Sequence, residues 1–232
     1  MKTGVMQPYF FPYIGYWQLI NAVDAFLIYD DVNFIKNGWI NRNNILLGGA
    51  KHLITLPLDS ASPFDLIKNT KITDNLKVKE KLLKTITAAY VKAPYYKDIM
   101  PIIEKTVLHP DNNISNAITY SIMAVADYLD IKTEIILSSD LKKDDELRAQ
   151  DKIINIVKAL GGDTYINAIG GQDLYNKDDF KNNGIELYFL KTGPVQYEQF
   201  KNEFVPNLSI IDVLMFNPVE KIQKMLDDYT LI

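Results

Sequence analysis

The sequence predicts an α/β fold, a mostly parallel sheet with helices on both faces, and three observations carry that expectation. Short apolar runs alternate with longer stretches of helical spacing. The run Ala25 to Tyr29 is almost continuously apolar, as a strand covered on both faces must be. Glycine, proline and capping residues fall at the joints between runs. In chain order, a short strand ending at Gln7 leads through a turn over Pro8 to Gly15 into a helix over about Tyr16 to Val23, then into the strand Ala25 to Tyr29. This βαβ unit stops at Asp30-Asp31, so both carboxylates fall at the carboxyl end of a parallel strand, the edge where open α/β sheets bind ligands. Asn44 to Leu58 reads as two strands around Gly48-Gly49, a hairpin signal. Three helices follow, Leu76 to Val91, Tyr95 to Val107 after Pro94, and Ser115 to Leu129 with N-caps available from Asn112 to Ser115, forming a helical insertion over about 76–130. Thr133 to Leu137 is a strand ending in Ser138-Ser139, and a helix from about Arg148 to Leu160 is closed by Gly161-Gly162. Thr164 to Asn167 and Ile185 to Leu190 are further strands, the first running into Gly170-Gly171-Gln172-Asp173, and Ile210 to Leu226 is helical. No linker or repeat interrupts the 232 residues, so a single α/β domain over 1–232 is expected.

Composition narrows the chemistry. The chain has no cysteine, which excludes disulfides, thiolate nucleophiles and thiolate zinc sites, and fits a reducing compartment. Its two histidines, His52 and His109, are too far apart for metal-ligand spacing, so neither a metal nor another cofactor is expected. A net charge of −4 with scattered Lys and Arg gives nucleic acid no reason to collect. No segment approaches the roughly 18 apolar residues of a membrane span, and no signal-like apolar run opens the chain; a cytoplasmic protein without membrane insertion is expected. Aromatics are the compositional excess, with 14 Tyr and 10 Phe crowding most densely into Tyr9-Phe10-Phe11-Pro12-Tyr13-Ile14-Gly15-Tyr16-Trp17. Such a run is either a buried cluster or a stacking wall for a planar or sugar ligand.

The turn between the first strand and helix resembles that of nucleotidyltransferases with a His-x-Gly-His signature, with Tyr13-Ile-Gly-Tyr16 where those enzymes carry their histidines. That resemblance implies a nucleotidyltransferase-like (HUP, Rossmann-like) three-layer architecture; the helix N-terminus remains able to face an anion, without the cations that stabilise a pentacovalent phosphorus. A longer similarity covers essentially the whole chain. Gln7-Pro8, Pro12 to Tyr16, Lys36-Asn-Gly-Trp-Ile-Asn-Arg-Asn43, Phe204 to Asp212, Ser138-Ser139 and Gly184 to Phe189 together resemble the WbqC-like protein family. What this resemblance implies is a place among enzymes of O-antigen and other surface-polysaccharide (lipopolysaccharide) assembly, with a role in decorating an amino sugar with an acyl or aminoacyl group.

Lys36, Trp39, Asn41, Arg42 and Asn43 form a dense polar group between an apolar strand and the hairpin. Arg binds phosphate or carboxylate bidentately and Trp stacks, which suits an anion joined to a sugar or base; alternatively Trp39 merely covers the core. Asp30 and Asp31 are candidate general bases, since amide formation on an amino sugar removes an ammonium proton; each alternatively caps a turn or pairs with Arg42. His52 alternates with Ile54 and Leu56, directing it to the apolar side as a structural or, less simply, catalytic group. Gln7, Tyr13, Gly15, Tyr16, Ser138, Ser139, Asn167, Gly171 and Gln172 lie at strand ends or on the first turn and complete the expected substrate rim, while Asp212 opens the last helix, where it complements the dipole. No Gly-x-Ser-x-Gly elbow surrounds the serines. The sequence therefore points to transfer of an acyl or aminoacyl group from a donor to the amine of a nucleotide-linked amino sugar. Lys36 and Arg42 would hold the diphosphate. The rivals are a nucleotidyl-transferring or adenylate-forming enzyme, and a non-catalytic protein that binds a sugar nucleotide or partner.

Overall fold

The computed structural model describes residues 1–201 and 203–232. The strand β1 (Lys2–Met6) leads through the helix α1 (Ile14–Asn21) to β2 (Ala25–Ile28). A hairpin of β3 (Arg42–Leu47) and β4 (Ala50–Thr55) follows, then the short antiparallel pair β5 (Leu58–Ser60) and β6 (Lys71–Ile72). Helices α2 (Leu76–Tyr90), α3 (Tyr96–Val107) and α4 (Ile114–Tyr128) precede β7 (Glu134–Leu137). The chain continues as α5 (Ala149–Ala159), β8 (Thr164–Ala168), α6 (Lys177–Asn182), β9 (Glu186–Thr192), α7 (Ile210–Phe216), α8 (Val219–Leu226) and β10 (Tyr229–Leu231).

The central sheet runs β10-β9-β8-β1-β2-β7. Its first five strands in chain order are parallel, and β10 adds antiparallel to β9 at the edge. Counting only these six strands in chain order gives 6-5-4-1-2-3, the order of dinucleotide-binding folds, with the reversal between β1 and β8. The sheet's pleat explains its two cores. Phe26 and Ile28 of β2 point to one face, where they join Trp17, Leu19 and Ile20 of α1 and the interior of the three-helix segment. Val5 and Leu27 point to the other, against Ile153, Ile156 and Val157 of α5 and Phe180 of α6. This is the α/β arrangement with helices on both faces that the apolar pattern predicts, and the three-layer, Rossmann-like architecture that the resemblance of the first turn implies. Leu19 and Ile20 are fully buried, which stabilises by roughly 1.5–3 kcal/mol apiece.

Three local differences from the expectation have physical reasons. Helix α1 begins two residues early because its first turn closes on the proline: the Trp17 indole donates to the Pro12 carbonyl (3.2 Å) and the Tyr16 amide to that of Tyr13 (3.0 Å). The C-terminal helix is two helices, split where Asn217 is extended and Pro218 supplies no amide hydrogen. Helix α6 and strand β10 are too short to show a period; the Asn176 side chain starts α6 by accepting from the Asp178 amide (2.8 Å). The hairpin forms around Gly48 and Gly49 as expected, both at positive φ (+62° and +80°), which is what a tight two-residue loop needs. No helix among the described residues is long and apolar enough to cross a membrane.

Candidate functional site

Three segments distant in sequence are sewn together beside α1. The Phe10 amide donates to the Trp39 carbonyl (3.1 Å), and the buried Asn43 amide group donates to the carbonyls of Phe10 (3.2 Å) and Phe11 (2.8 Å). The Ser209 hydroxyl donates to the same Phe11 carbonyl (2.7 Å), while the backbone amides of Ser209 and Ile210 donate to the carbonyls of Asn44 (2.8 Å) and Pro12 (2.9 Å). Phe11 is held at φ +43°, a left-handed conformation that costs about 1–3 kcal/mol outside glycine and persists because these bonds fix the carbonyl on its far side. Between the segments lies a cavity of about 370 Å³ lined by Tyr9, Pro12, Tyr13, Trp39, Asn43 and Asn207. That volume falls in the range of small-molecule sites. Trp39 is 45% exposed and Tyr13 38%, so both present a face that the core does not use.

The first turn serves this cavity differently from the expected anion cradle. A side chain on Gly15 would begin 2.5 Å from Cζ and the hydroxyl of Tyr13 and 2.5 Å from the Thr192 hydroxyl, so the Tyr13 ring lies across the opening of α1 and needs glycine beneath it. Tyr16 is buried, with its hydroxyl donating to the Gln7 carbonyl (3.0 Å), so it faces the sheet end. Burial, and then the neighbouring Tyr13, raise the Tyr9 phenol above its ordinary pKa, keeping it a neutral hydrogen-bonding group.

At the carboxyl end of β2 the two aspartates part company. Asp30 is 1% exposed and accepts from the Ser139 amide (3.0 Å), the Ser139 hydroxyl (2.8 Å) and the Ser115 hydroxyl (3.1 Å). It ties β2 to the turn after β7 and to α4, and its oxygens are committed. Asp31 instead meets the Lys143 ammonium at 2.8 Å and that of Lys152 at 3.6 Å, while its Oδ1 has no hydrogen-bond partner. Burial pushes its carboxyl up, but hydrogen bonding from Lys143, the nearby Ser138 hydroxyl and the two lysine charges prevail and hold it below the ordinary value. Asp31 lines a second cavity, about 430 Å³, with Tyr29, Asn33, Arg148 and Lys152 among its other walls. The segment from Tyr29 to Asn43 runs from this cavity to the aromatic one.

The remaining expected rim residues separate. Arg42 donates Nε to the Gly38 carbonyl (2.9 Å) and its other nitrogens to Asn37, so it braces the turn that carries Trp39 and pairs with neither aspartate. Lys36 is exposed on that turn. The Asn41 amide donates to the Leu56 carbonyl (3.1 Å), clamping the base of the hairpin. Ser138 is buried, and its carbonyl accepts from Lys143. Asn167 is buried at the end of β8, across the sheet's reversal from Gln7; its amide nitrogen packs where a side chain on Gly171 would begin, and Gln172 is exposed beyond it. His52 is exposed, contrary to the apolar side the alternation gives it: Ile54 and Leu56 are buried, but the hairpin tip projects past the core that covers them. Asp212 is also more than a dipole partner. It is wholly buried and accepts from the hydroxyls of Tyr90 (2.7 Å) and Tyr197 (2.7 Å) and from the Gln199 amide (2.6 Å), with burial raising its carboxyl pKa. Lys143, Arg148 and Lys152 escape sequence reasoning, with the i, i+4 spacing of Arg148 and Lys152 as their one signal, whereas Asn207 lies within the Phe204 to Asp212 motif without being singled out as a site residue. Among the described residues, no group of three or more His, Cys, Asp or Glu side chains is arranged to hold a metal ion.

A parallel sheet of dinucleotide-binding order, flanked by an aromatic cavity and a charged one, defines an α/β protein of the Rossmann-like class. The two most separated of the motifs that frame the aromatic cavity, near residues 7–16 and 204–212, both lie within the match to the WbqC-like protein family. The model of that family covers residues 7–224, and the chain belongs to it. The chain is also similar to the uncharacterized protein Rv1507c of Mycobacterium tuberculosis (strain ATCC 25618 / H37Rv), at 25% identity over 218 residues, 93% of each chain. No solved structure matches significantly.

Proposed function

We propose that this protein is a transferase of surface-polysaccharide assembly that moves an acyl or aminoacyl group onto the amine of a nucleotide-linked amino sugar. The observation that carries the reading is the convergence of the segments that carry the family resemblance, Gln7-Pro8 with Pro12 to Tyr16, Lys36 to Asn43 and Phe204 to Asp212, on one aromatic-walled cavity beside the ligand edge of the sheet. Tyr9, Tyr13 and Trp39 offer planar faces for a sugar or base, and Asn207 adds a polar edge. In this reading Asp31, on the wall of the neighbouring cavity, is the base that receives the ammonium proton as the amine attacks the acyl carbon and the donor's leaving group departs. Asp30 is the positioning residue that anchors the strand end through Ser115 and Ser139. The nucleotidyl-transfer alternative loses support from the buried Tyr16, which stands in the second histidine position and turns away from any phosphate at the turn.

The test is a thermal-shift screen of the purified protein against ATP, acyl-CoA thioesters and nucleotide-linked amino and neutral sugars, followed by mass spectrometry of reactions pairing each stabilising sugar with each donor. A ligand that binds only the native state raises the melting temperature with its concentration. Stabilisation by amino-sugar nucleotides and a product heavier by one acyl or aminoacyl group are expected. Stabilisation by ATP alone, with pyrophosphate release, would transfer the reading to the adenylate-forming class.

A further inference from the structure

We infer that the cavity at the start of α5 is a binding site for a phosphoryl anion, held by Lys152, Arg148 and the opening amides of the helix. The cavity, about 430 Å³, opens between the carboxyl end of β2 and the N-terminus of α5. Its charges do not cancel. Lys143, its side chain 2% exposed, sits 2.8 Å from Asp31. Lys143 also contacts Asp145 (3.7 Å), and Lys152, its side chain 9% exposed, contacts the same two carboxylates, Asp31 (3.6 Å) and Asp145 (4.0 Å), at distances too long for hydrogen bonds; two ammoniums thus match two carboxylates, and Arg148 adds a third cation. Asp145 is 76% exposed and therefore well screened. Lys152 therefore has ion-pair contacts but no hydrogen bond from its ammonium to the described residues, which leaves those donors for an anion in the cavity it lines. Its one further neighbour is the Tyr29 ring, 5.5 Å from the nitrogen.

Two donor sets surround it. Arg148 spends one terminal nitrogen on the Asp145 and Leu147 carbonyls, which leaves its other guanidinium donors for the cavity. Arg148 is also the N-cap of α5, with extended backbone and no side-chain cap, so the opening amides of this 11-residue helix carry no capping bond. Cations converging with free helix amides are the donor geometry that phosphoryl oxygens fit. Arg42 and Lys36, the cations the sequence suggests for a diphosphate, serve the Trp39 turn and solvent instead. Identifying the phosphoryl group as part of a sugar nucleotide rests on the transferase reading; the anion site does not.

Inorganic pyrophosphate is therefore the first probe, and UDP the second, each titrated calorimetrically at low and moderate salt against wild type, Lys152→Met and Arg148→Ala. Circular dichroism melts accompany each variant. Pyrophosphate binding that weakens at least tenfold in Lys152→Met and severalfold in Arg148→Ala is expected. UDP binding more tightly than pyrophosphate, with the same variant dependence, would assign the anion to a nucleotide, and equal binding to a free phosphate source. Should Lys152→Met fail to fold, the exposed Arg148 decides alone. Absence of pyrophosphate and UDP binding, or binding undiminished in the folded variants, would overturn the site without touching the aromatic cavity, which pyrophosphate does not probe.

Discussion

Replacing Asp212 by alanine removes one acceptor from three donors at once. The Tyr90 and Tyr197 hydroxyls lose their 2.7 Å partner inside the core, whereas Gln199 keeps its bond to the Val205 carbonyl (3.1 Å). Two buried hydroxyls that each lose the acceptor for their proton, at about 1–3 kcal/mol each, less the relief of no longer burying a carboxyl whose pKa is raised, give roughly 3–4 kcal/mol of destabilisation. For a chain of this size that corresponds to a fall in Tm of roughly 6–16 °C. The consequence reaches the aromatic cavity, because Gln199 and Tyr197 tie the segment carrying Asn207 to α7, and Tyr90 accepts from the Leu46 amide (2.9 Å) in the hairpin. Urea unfolding with unchanged m-value measures the loss. The pH dependence adds a sign. Because burial raises the folded pKa above the ordinary 3.8, the protonated carboxyl favours folding, a contribution complete below about pH 3.8 and lost as pH rises through the raised value. Wild type should thus lose stability over that window relative to Asp212→Asn, which does not titrate. A cost below 1 kcal/mol for Asp212→Ala would refute the view of Asp212 as the hub.

Gly15→Ala should leave stability within about 1 kcal/mol, since alanine's helix propensity offsets the crowding, yet weaken sugar-nucleotide binding by displacing the Tyr13 ring; paired melts and titrations check both. Asp31→Asn should cost roughly 3–5 kcal/mol at pH 7 by uncoupling a buried ion pair. Its carboxyl is held below the ordinary 3.8, so its contribution is present above that pH and lost as pH falls through the lowered value; urea midpoints for the variant and wild type should converge in acid. His52→Ala should change neither stability beyond about 0.5 kcal/mol nor product formation, and a collapse of turnover would return the exposed histidine to the chemistry.

The sheet was legible where local pattern and tertiary need agree. Ala25 to Ile28 is apolar because both faces are covered, and the Gly48-Gly49 pair turns the hairpin because only glycine takes positive φ twice at little cost. Strand β10 was not legible, since three residues at an antiparallel edge carry no period. The aromatic cavity was half legible: Tyr13 and Trp39 stand out as large residues beside glycine and proline, but Asn207 joins them through Ser209, whose bond to the Phe11 carbonyl spans 198 residues of sequence. Arg42 reads from the sequence as a cation for a diphosphate or for an aspartate, because nothing in a sequence shows that its neighbours' carbonyls curl back to meet it. Lys143 and Lys152 lay in an ordinary charged stretch, and only the fold turns them inward onto Asp31.

The most direct measurement is a calorimetric titration of a nucleotide-linked amino sugar into wild type and Trp39→Ala, with a melt of each protein alone. Trp39 is half exposed and caps no core, so the variant should melt within about 2 °C of wild type, the shift of roughly 0.5 kcal/mol typical of a surface change. Its affinity should fall about fivefold or more, the loss of one stacking face at roughly 1–3 kcal/mol. Equal affinity in the two proteins, with both folded, would mean that the cavity of Tyr9, Tyr13 and Trp39 is not where the sugar nucleotide binds.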